Sequence, residues 1–365
     1  MKKECCVTKD NTRLNKVGGQ AVLEGVMMKA GNRTVTTCRK EDGTLAVYDD
    51  NFISVRKKHK ILNLPILRGV VNFIEMMALS IKTLNASADA LGIEEEDGKF
   101  EKWCKKHLGA RATDVIMLVS LVLGLGLSVL LFMFLPTWSA DGINWLWQNV
   151  FNMKPITPTV IAVIEGVLKV VIFIVYLLLV SLMKDIRRTF MYHGAEHKTI
   201  ACFEAGEELT PENAKKHKRF HPRCGTSFMF LMIAIGIAVG MFIRNIMPVG
   251  TNTIIIFLIK LALLPITMGV GYEILMIAGK HDNFLTRLIS APGLWVQRIT
   301  TKEPTLDMLE VAIVSTKCAL RDEFPEYMDF WNERSWEPKE EQPEENEEAE
   351  TQDQALEENN TTEEN

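Results

Sequence analysis

"PTVIAVIEGVLKVVIFIVYLLLVSLM", residues 158–183, decides the architecture. Only Glu165 and Lys169 interrupt the apolar run, and they stand four apart in the order that favours a helical ion pair. Crossing the hydrocarbon of a bilayer takes roughly 20 apolar residues, so this stretch reads as a transmembrane helix. Three more stretches meet the same test: 115–135, 228–247 with Arg244 near its end, and 253–278 with Lys260 and Glu273 inside. Charges in hydrocarbon must find partners or water. Pairing between helices is the simple account of Glu165, Lys169, Lys260 and Glu273, and a polar conduit is the other. Glu273 lies near the cytoplasmic end of its span and is placed to approach the candidate site described below. The expected fold class is an α-helical integral membrane protein, with four transmembrane helices, a small N-terminal β-rich region and interfacial helices.

The charges outside the spans set direction. The 365-residue chain has a net charge of −5, but residues 337–365 hold 13 acidic side chains against one lysine, which leaves the rest at +7. That tail has too little apolar surface to offset its ordering entropy and is expected to be disordered. The basic surplus lies in "RKKHK" (56–60), "KWCKKH" (102–107), "KDIRR" (184–188), "KKHKRFHPR" (215–223) and "GKHDN" (279–283). The loops 136–157 and 244–252 carry one Lys and one Arg. The positive-inside rule then places both termini and the 184–227 loop in the cytoplasm. The lipid bilayer is the expected partner, and direct nucleic-acid binding is not expected. Seven scattered cysteines fit a reducing compartment better than a disulfide framework. Residues 1–16, "MKKECCVTKDNTRLNK", read as a flexible N-terminus with no signal-peptide core; Cys5 and Cys6 read as plain thiols, with acylation as the alternative.

Residues 17–60 read as a small β-rich region: "AVLEGVMM", "RTVTTCR", an Asp-Gly turn, "TLAVY" and "FISV". Residues 61–112 read as an amphipathic region. Arg68, Asn72, Glu75 and Lys82 fall on one helical stripe there, which favours a helix in the interface plane over one packed on the spans with its stripe inward. The four-helix unit occupies 113–283. Residues 284–336 read as a membrane-surface segment with Trp295 at headgroup depth, followed by an amphipathic helix.

Past the second span comes "YHGAEHK" (192–198). If the helix continues, His193 and His197 share one face a turn apart, the geometry by which two imidazoles hold one metal ion. Glu196 between them is the candidate general base. "HPRCG" adds His221 and Cys224, which completes a four-ligand set for Zn2+ or another divalent metal, with Glu204, Glu207 and His217 as spare donors. The plain alternative is a pair of solvated histidines with Glu196 bonded to Lys198 or an arginine. Four protein ligands mark a structural zinc, whereas three and an open position mark a catalytic one.

"VGGQAVLEGVMMK" (17–29), "LPILRGV" (64–70), "YHGAEHK" (192–198) and "HPRCGTSF" (221–228) together resemble the YqhQ-like family of bacterial membrane proteins, built on a domain of unknown function. The resemblance covers most of residues 15–320. It implies a multi-pass protein of the bacterial cell membrane, and members are commonly labelled metal-dependent enzymes. It also brings Gln20, Glu24 and Arg68 forward as residues facing the site. The family's gene neighbourhood, beside genes of translation termination, implies a membrane-protein or translocation-machinery partner.

Two functions follow as expectations. One is a zinc-dependent hydrolase at the cytoplasmic membrane face, with His193 and His197 as ligands, His221 or Cys224 as the third, and Glu196 as base. The other is a non-catalytic scaffold or accessory factor in membrane-protein biogenesis, in which a structural zinc clamps the 184–227 loop.

Overall fold

A computed structural model describes residues 12–92, 112–221, 224–248, 250–278, 284–334 and 336. Cys5, Cys6, the 102–107 and 279–283 basic segments and the acidic tail lie outside those residues. Four strands form one antiparallel sheet in sequence order: β1 (Val17–Val22), β2 (Gly25–Ala30), β3 (Arg33–Arg39) and β4 (Leu45–Asn51). "AVLEGVMM" is therefore a hairpin rather than a strand. Val22 pairs with Gly25, so Leu23 and Glu24 make the whole turn, and Glu24 takes a positive φ of 46° to close it. "FISV" adds no strand: the chain leaves β4 at Asn51 and Ser54 caps a short 3-10 turn instead.

Side chains alternate between the sheet's two faces. Val26, Met28 and Val35 enter one core, while Val22, Met27 and Cys38 enter another with Leu79. Leu79 belongs to α1 (Leu67–Ala90). The first core is built with α4 (Lys184–Glu204), the short α5 (Pro211–Lys216) and α9 (Leu306–Leu320). The sheet is thus covered on both faces, which is why "GVMM" is buried without interruption.

Two segments, one read as an amphipathic helix after a membrane-surface stretch and one as a loop, take a different form here. α9 is buried almost all round, from Met308 to Leu320, because "LDMLEVAIVSTKCAL" has small or apolar residues on nearly every face. Its Ser315 hydroxyl donates to the carbonyls of Val26 (3.1 Å) and Val35 (2.7 Å), pinning the helix to the sheet. The 184–227 segment is largely helical, in α4 and α5. α4 is not a continuation of the preceding span either: the chain turns at Ser181 and Met183 takes extended geometry before Lys184.

Among the described residues, four helices are long and apolar enough to cross a membrane: Leu118–Asn149, Pro158–Val180, Phe228–Ile246 and Thr253–Ile277. The first is longer than the sequence indicates. Ala112–Val129, a π-helical turn Leu130–Phe134 and Leu135–Asn149 run on as one helix, α2. Pro136 has no N–H for the usual bond, and the wider turn before it absorbs the defect. Thr137 Oγ1 donates to the Met133 carbonyl at 2.9 Å. The others are α3 (Pro158–Val180), α6 (Gly225–Ile246) and α7 (Thr253–Ala278), with α8 (Phe284–Thr300) packed on α6 and a short α10 (Glu326–Glu333) beyond α9.

The charges inside these helices pair with one another. Glu165 of α3 accepts from Lys260 of α7 at 2.5 and 2.6 Å, from Arg244 of α6 at 3.2 Å and from Thr137 of α2 at 2.9 Å. Arg244 also donates to Asp141 at 2.8 Å. One carboxylate therefore joins all four helices. Glu273 does not join the candidate site: it accepts from Arg68 Nε at 2.7 Å and from Arg68 Nη2, which ties the start of α1 to α7. The stripe on α1 is likewise partnered, with Glu75 accepting from Ser54 and the Val55 N–H, and Asn72 from Arg56. α1 lies against α7 and the sheet, so the packed arrangement replaces the favoured interfacial one.

Glu165→Ala leaves the buried Lys260 and Arg244, with the half-buried Lys169 beside them, around an empty centre. Breaking such a group costs about 3–5 kcal/mol. Melting of the detergent-solubilised protein should fall sharply, and adding Lys260→Met should recover part of the loss. An unchanged melting temperature in the single variant would remove Glu165 as the node.

Candidate metal centre

α4 carries His193 and His197 on one face, with ring centroids 4.4 Å apart. Each ring is oriented by a main-chain carbonyl. His193 Nδ1 lies 2.9 Å from Thr300 O, and His197 Nδ1 lies 2.6 Å from Arg219 O. A carbonyl can only accept, so each Nδ1 carries a proton, and in the neutral ring the lone pair falls on Nε2. This is the outer-shell arrangement that fixes metal-binding imidazoles. Cys224, at the N-terminus of α6, brings its Sγ to 3.2 Å from His193 Nε2. The donor atoms of His193, His197 and Cys224 all fall within 4.8 Å of one another. Two imidazoles and a thiol suit a borderline-soft divalent cation such as zinc.

His221 stands beside this group rather than within it. Its ring lies 5.7 Å from His197, and its Nε2 is 3.7 Å from Glu204 Oε2. The buried Gln297 side chain holds its main chain, accepting from His221 N and donating to His221 O at 2.8 Å each. Three donors therefore gather where the sequence offered four.

Glu196 is 5% exposed, with Oε2 3.9 Å from His193 Nε2. Burial pushes its carboxyl above the usual range, against the opposing pull of His193 and of the Gly19 N–H that donates to it. Lys198 is not its partner: that ammonium binds Glu303 and the Lys215 carbonyl. A cavity of about 460 Å³ opens beside the cluster, lined by Gly19, Gln20, Met27, Leu79, Glu196 and Cys224. Gln20 is fixed in its wall, donating to Thr83 Oγ1 and accepting from Ser80 Oγ, both at 2.6 Å. Glu24 is instead bound by Arg188 and receives the Tyr192 hydroxyl at 3.3 Å. Glu204 accepts from the Asn15 N–H at 3.3 Å.

Two glycines make these approaches feasible. A Cβ on Gly194 would sit 2.1 Å from the Lys302 carbonyl, so only glycine lets residues 300–304 press onto α4 and bring Thr300 O to His193. A Cβ on Gly19 would meet Met27 O at 2.5 Å and Glu196 Cγ at 3.3 Å. Thr300, Arg219 and Gln297 escaped sequence reading. The first two act through main-chain carbonyls, which every residue has, and Gln297 is the lone buried amide in a segment read as lying on the membrane surface.

Gly194→Ala must displace main chain, so it should cost about 1–3 kcal/mol and weaken zinc binding by freeing His193. Gly18→Ala, whose Cβ would meet nothing within 4 Å, is the control. Equal melting temperatures and zinc affinities for the two variants would show that the 300–304 segment does not orient the ring.

A family model described as "Protein of unknown function (DUF1385)" matches residues 64–322, a range that includes His193, Glu196, His197 and Cys224. The chain is also 34% identical over 312 residues to the "Uncharacterized protein YqhQ" of Bacillus subtilis (strain 168), covering 83% of this chain and 92% of that protein. No solved structure matches. With a family match over residues 64–322, a relative 34% identical over most of the chain and, among the described residues, four helices long and apolar enough to cross a membrane, the chain belongs to the YqhQ-like DUF1385 family.

Proposed function

We propose that this protein is a metal-dependent hydrolase of the bacterial cell membrane, acting at the cytoplasmic face on an amphiphilic substrate. The observation that carries the reading is the cavity: Glu196 and Cys224 line it beside a cluster of three donors rather than a closed set of four. A divalent cation held by His193, His197 and Cys224 would supply Lewis acidity at the end of that cavity. Glu196 then serves as general base, taking a proton from water and returning it to the leaving group. Its carboxyl, whose pKa burial pushes up, suits that exchange. The walls combine Met27, Met76 and Leu79 with Gln20 and Lys29, which fits a substrate with an apolar part and a polar part.

The membrane placement belongs to the same reading. The four apolar helices cross the bilayer, with the sheet, α4, α9 and both termini on the cytoplasmic side. The charge asymmetry supports this orientation. Arg244 is buried against Glu165 and Asp141, so Lys154 is the one basic residue in the opposite loops.

A second reading has its own support. Cys224 caps α6 while the histidines belong to α4, so a cation there also fastens the sheet-bearing body to an apolar helix. In that case the protein is a scaffold or accessory factor for membrane-protein biogenesis.

Glu196→Gln distinguishes the two. In a hydrolase, the variant should keep its zinc and its melting temperature, lose roughly 10²–10⁴ in rate, and fail to complement a strain deleted for its own copy. Normal complementation by Glu196→Gln, with collapse of Cys224→Ser, would favour the scaffold. For topology, a thiol reagent that cannot cross the membrane should label Trp145→Cys in intact cells and leave Lys215→Cys unlabelled until lysis. Labelling of position 215 from outside would reverse the orientation.

A further inference from the structure

Cys202, Glu207 and His217 form a second group of donors that the site above does not use. Cys202 lies in the last turn of α4, Glu207 in the turn that follows, and His217 just past α5. Their sulfur, carboxylate oxygen and imidazole nitrogen all lie within 4.8 Å of one another.

The details favour a shared ligand over a simple ion pair. His217 Nε2 is 3.3 Å from Glu207 Oε2, yet this buried nitrogen makes no hydrogen bond. The two atoms are close without being aligned as donor and acceptor. Bonds of ~2.0–2.1 Å around a tetrahedral zinc put neighbouring N and O ligands roughly 3.3 Å apart. Cys202 is fully buried, and its thiol donates to the Glu208 carbonyl at 3.5 Å. A nearby dication is what allows such a sulfur to give up its proton.

We propose that Cys202, Glu207 and His217 bind a second divalent cation of the zinc class, with water completing its shell. A thiolate and a carboxylate balance the charge of a dication, and the neutral imidazole adds none. The cation closes the 202–217 segment onto the end of α4. Arg219, whose carbonyl orients His197, follows His217 by two residues. The second cation therefore steadies the strut on which the first site rests. The inference uses its own donors and stands apart from the hydrolase reading.

The test is cobalt stoichiometry of the full chain purified in detergent, loaded with Co2+ and freed of excess. Two cobalt ions per chain are expected. Glu207→Gln and His217→Ala should each release one and keep the one that His193→Ala releases. Glu207→Gln preserves side-chain volume, so it covers the case in which His217→Ala fails to fold. In a Cys224→Ser chain a near-ultraviolet thiolate-to-cobalt band should persist, and it should vanish when His217→Ala is added. A single cobalt released by Glu207→Gln but not by His193→Ala would support this site and count against the other. Cobalt content unaffected by Glu207→Gln and His217→Ala would overturn the proposal and leave an ordinary Glu207–His217 ion pair. A Cys224→Ser chain without the band would overturn it as well.

Discussion

The candidate centre depends on two carbonyls. Thr300 O and Arg219 O accept the Nδ1 protons of His193 and His197 and so turn both Nε2 atoms to one point. Without them the i, i+4 spacing on α4 only puts two rings on one face, free to rotate about χ1 and χ2. Each carbonyl is itself held in place. Lys302 N donates to Phe190 O at 2.8 Å and lays the 300–304 segment along α4, over the bare face of Gly194. Gln297, one turn earlier on α8, grips His221 and keeps the residues leading to Cys224 in register. Bonds from α8 and from the stretch after α5 thus converge on one helix face.

This dependence explains the arrangement of the rest. α4 is the spine of the sheet-bearing body, flanked by β1 and α9, and its His193 reaches Cys224 at the start of α6 and Thr300 at the end of α8. The body and the apolar helices are joined at two further places, the Arg68–Glu273 pair and the Cys224–His193 contact. Within the apolar helices, Glu165 holds α2, α3, α6 and α7 together through charge. Apolar side chains on long helices give little register of their own, and a paired carboxylate supplies it.

Much of this was legible in the sequence because its signals are local. Hydropathy marks the four apolar helices, although the hydrophobic run of α2 ends near Leu135 while the helix continues to Asn149 through residues of mixed polarity. The spacing of His193, Glu196 and His197 marks the metal candidate, and Cys224 joins it. What the sequence concealed is set by tertiary pairing. The Leu23–Glu24 turn falls inside a run that reads as one strand, because β2 is covered on both faces and shows no alternation. α9 looks amphipathic until the sheet and α4 cover both of its sides. His221 and Glu273 fit the ligand and conduit patterns by type alone. Gln297 holds the main chain of the first and Arg68 takes the second.

The most direct test of the proposed centre is zinc K-edge X-ray absorption on the purified His217→Ala chain, in which the second set of donors is removed. The account predicts zinc bound by two imidazole nitrogens at about 2.0–2.1 Å, one sulfur at about 2.3 Å and a lighter fourth atom. A shell with no sulfur, a shell with a third imidazole from His221, or a chain that takes up no zinc would contradict it.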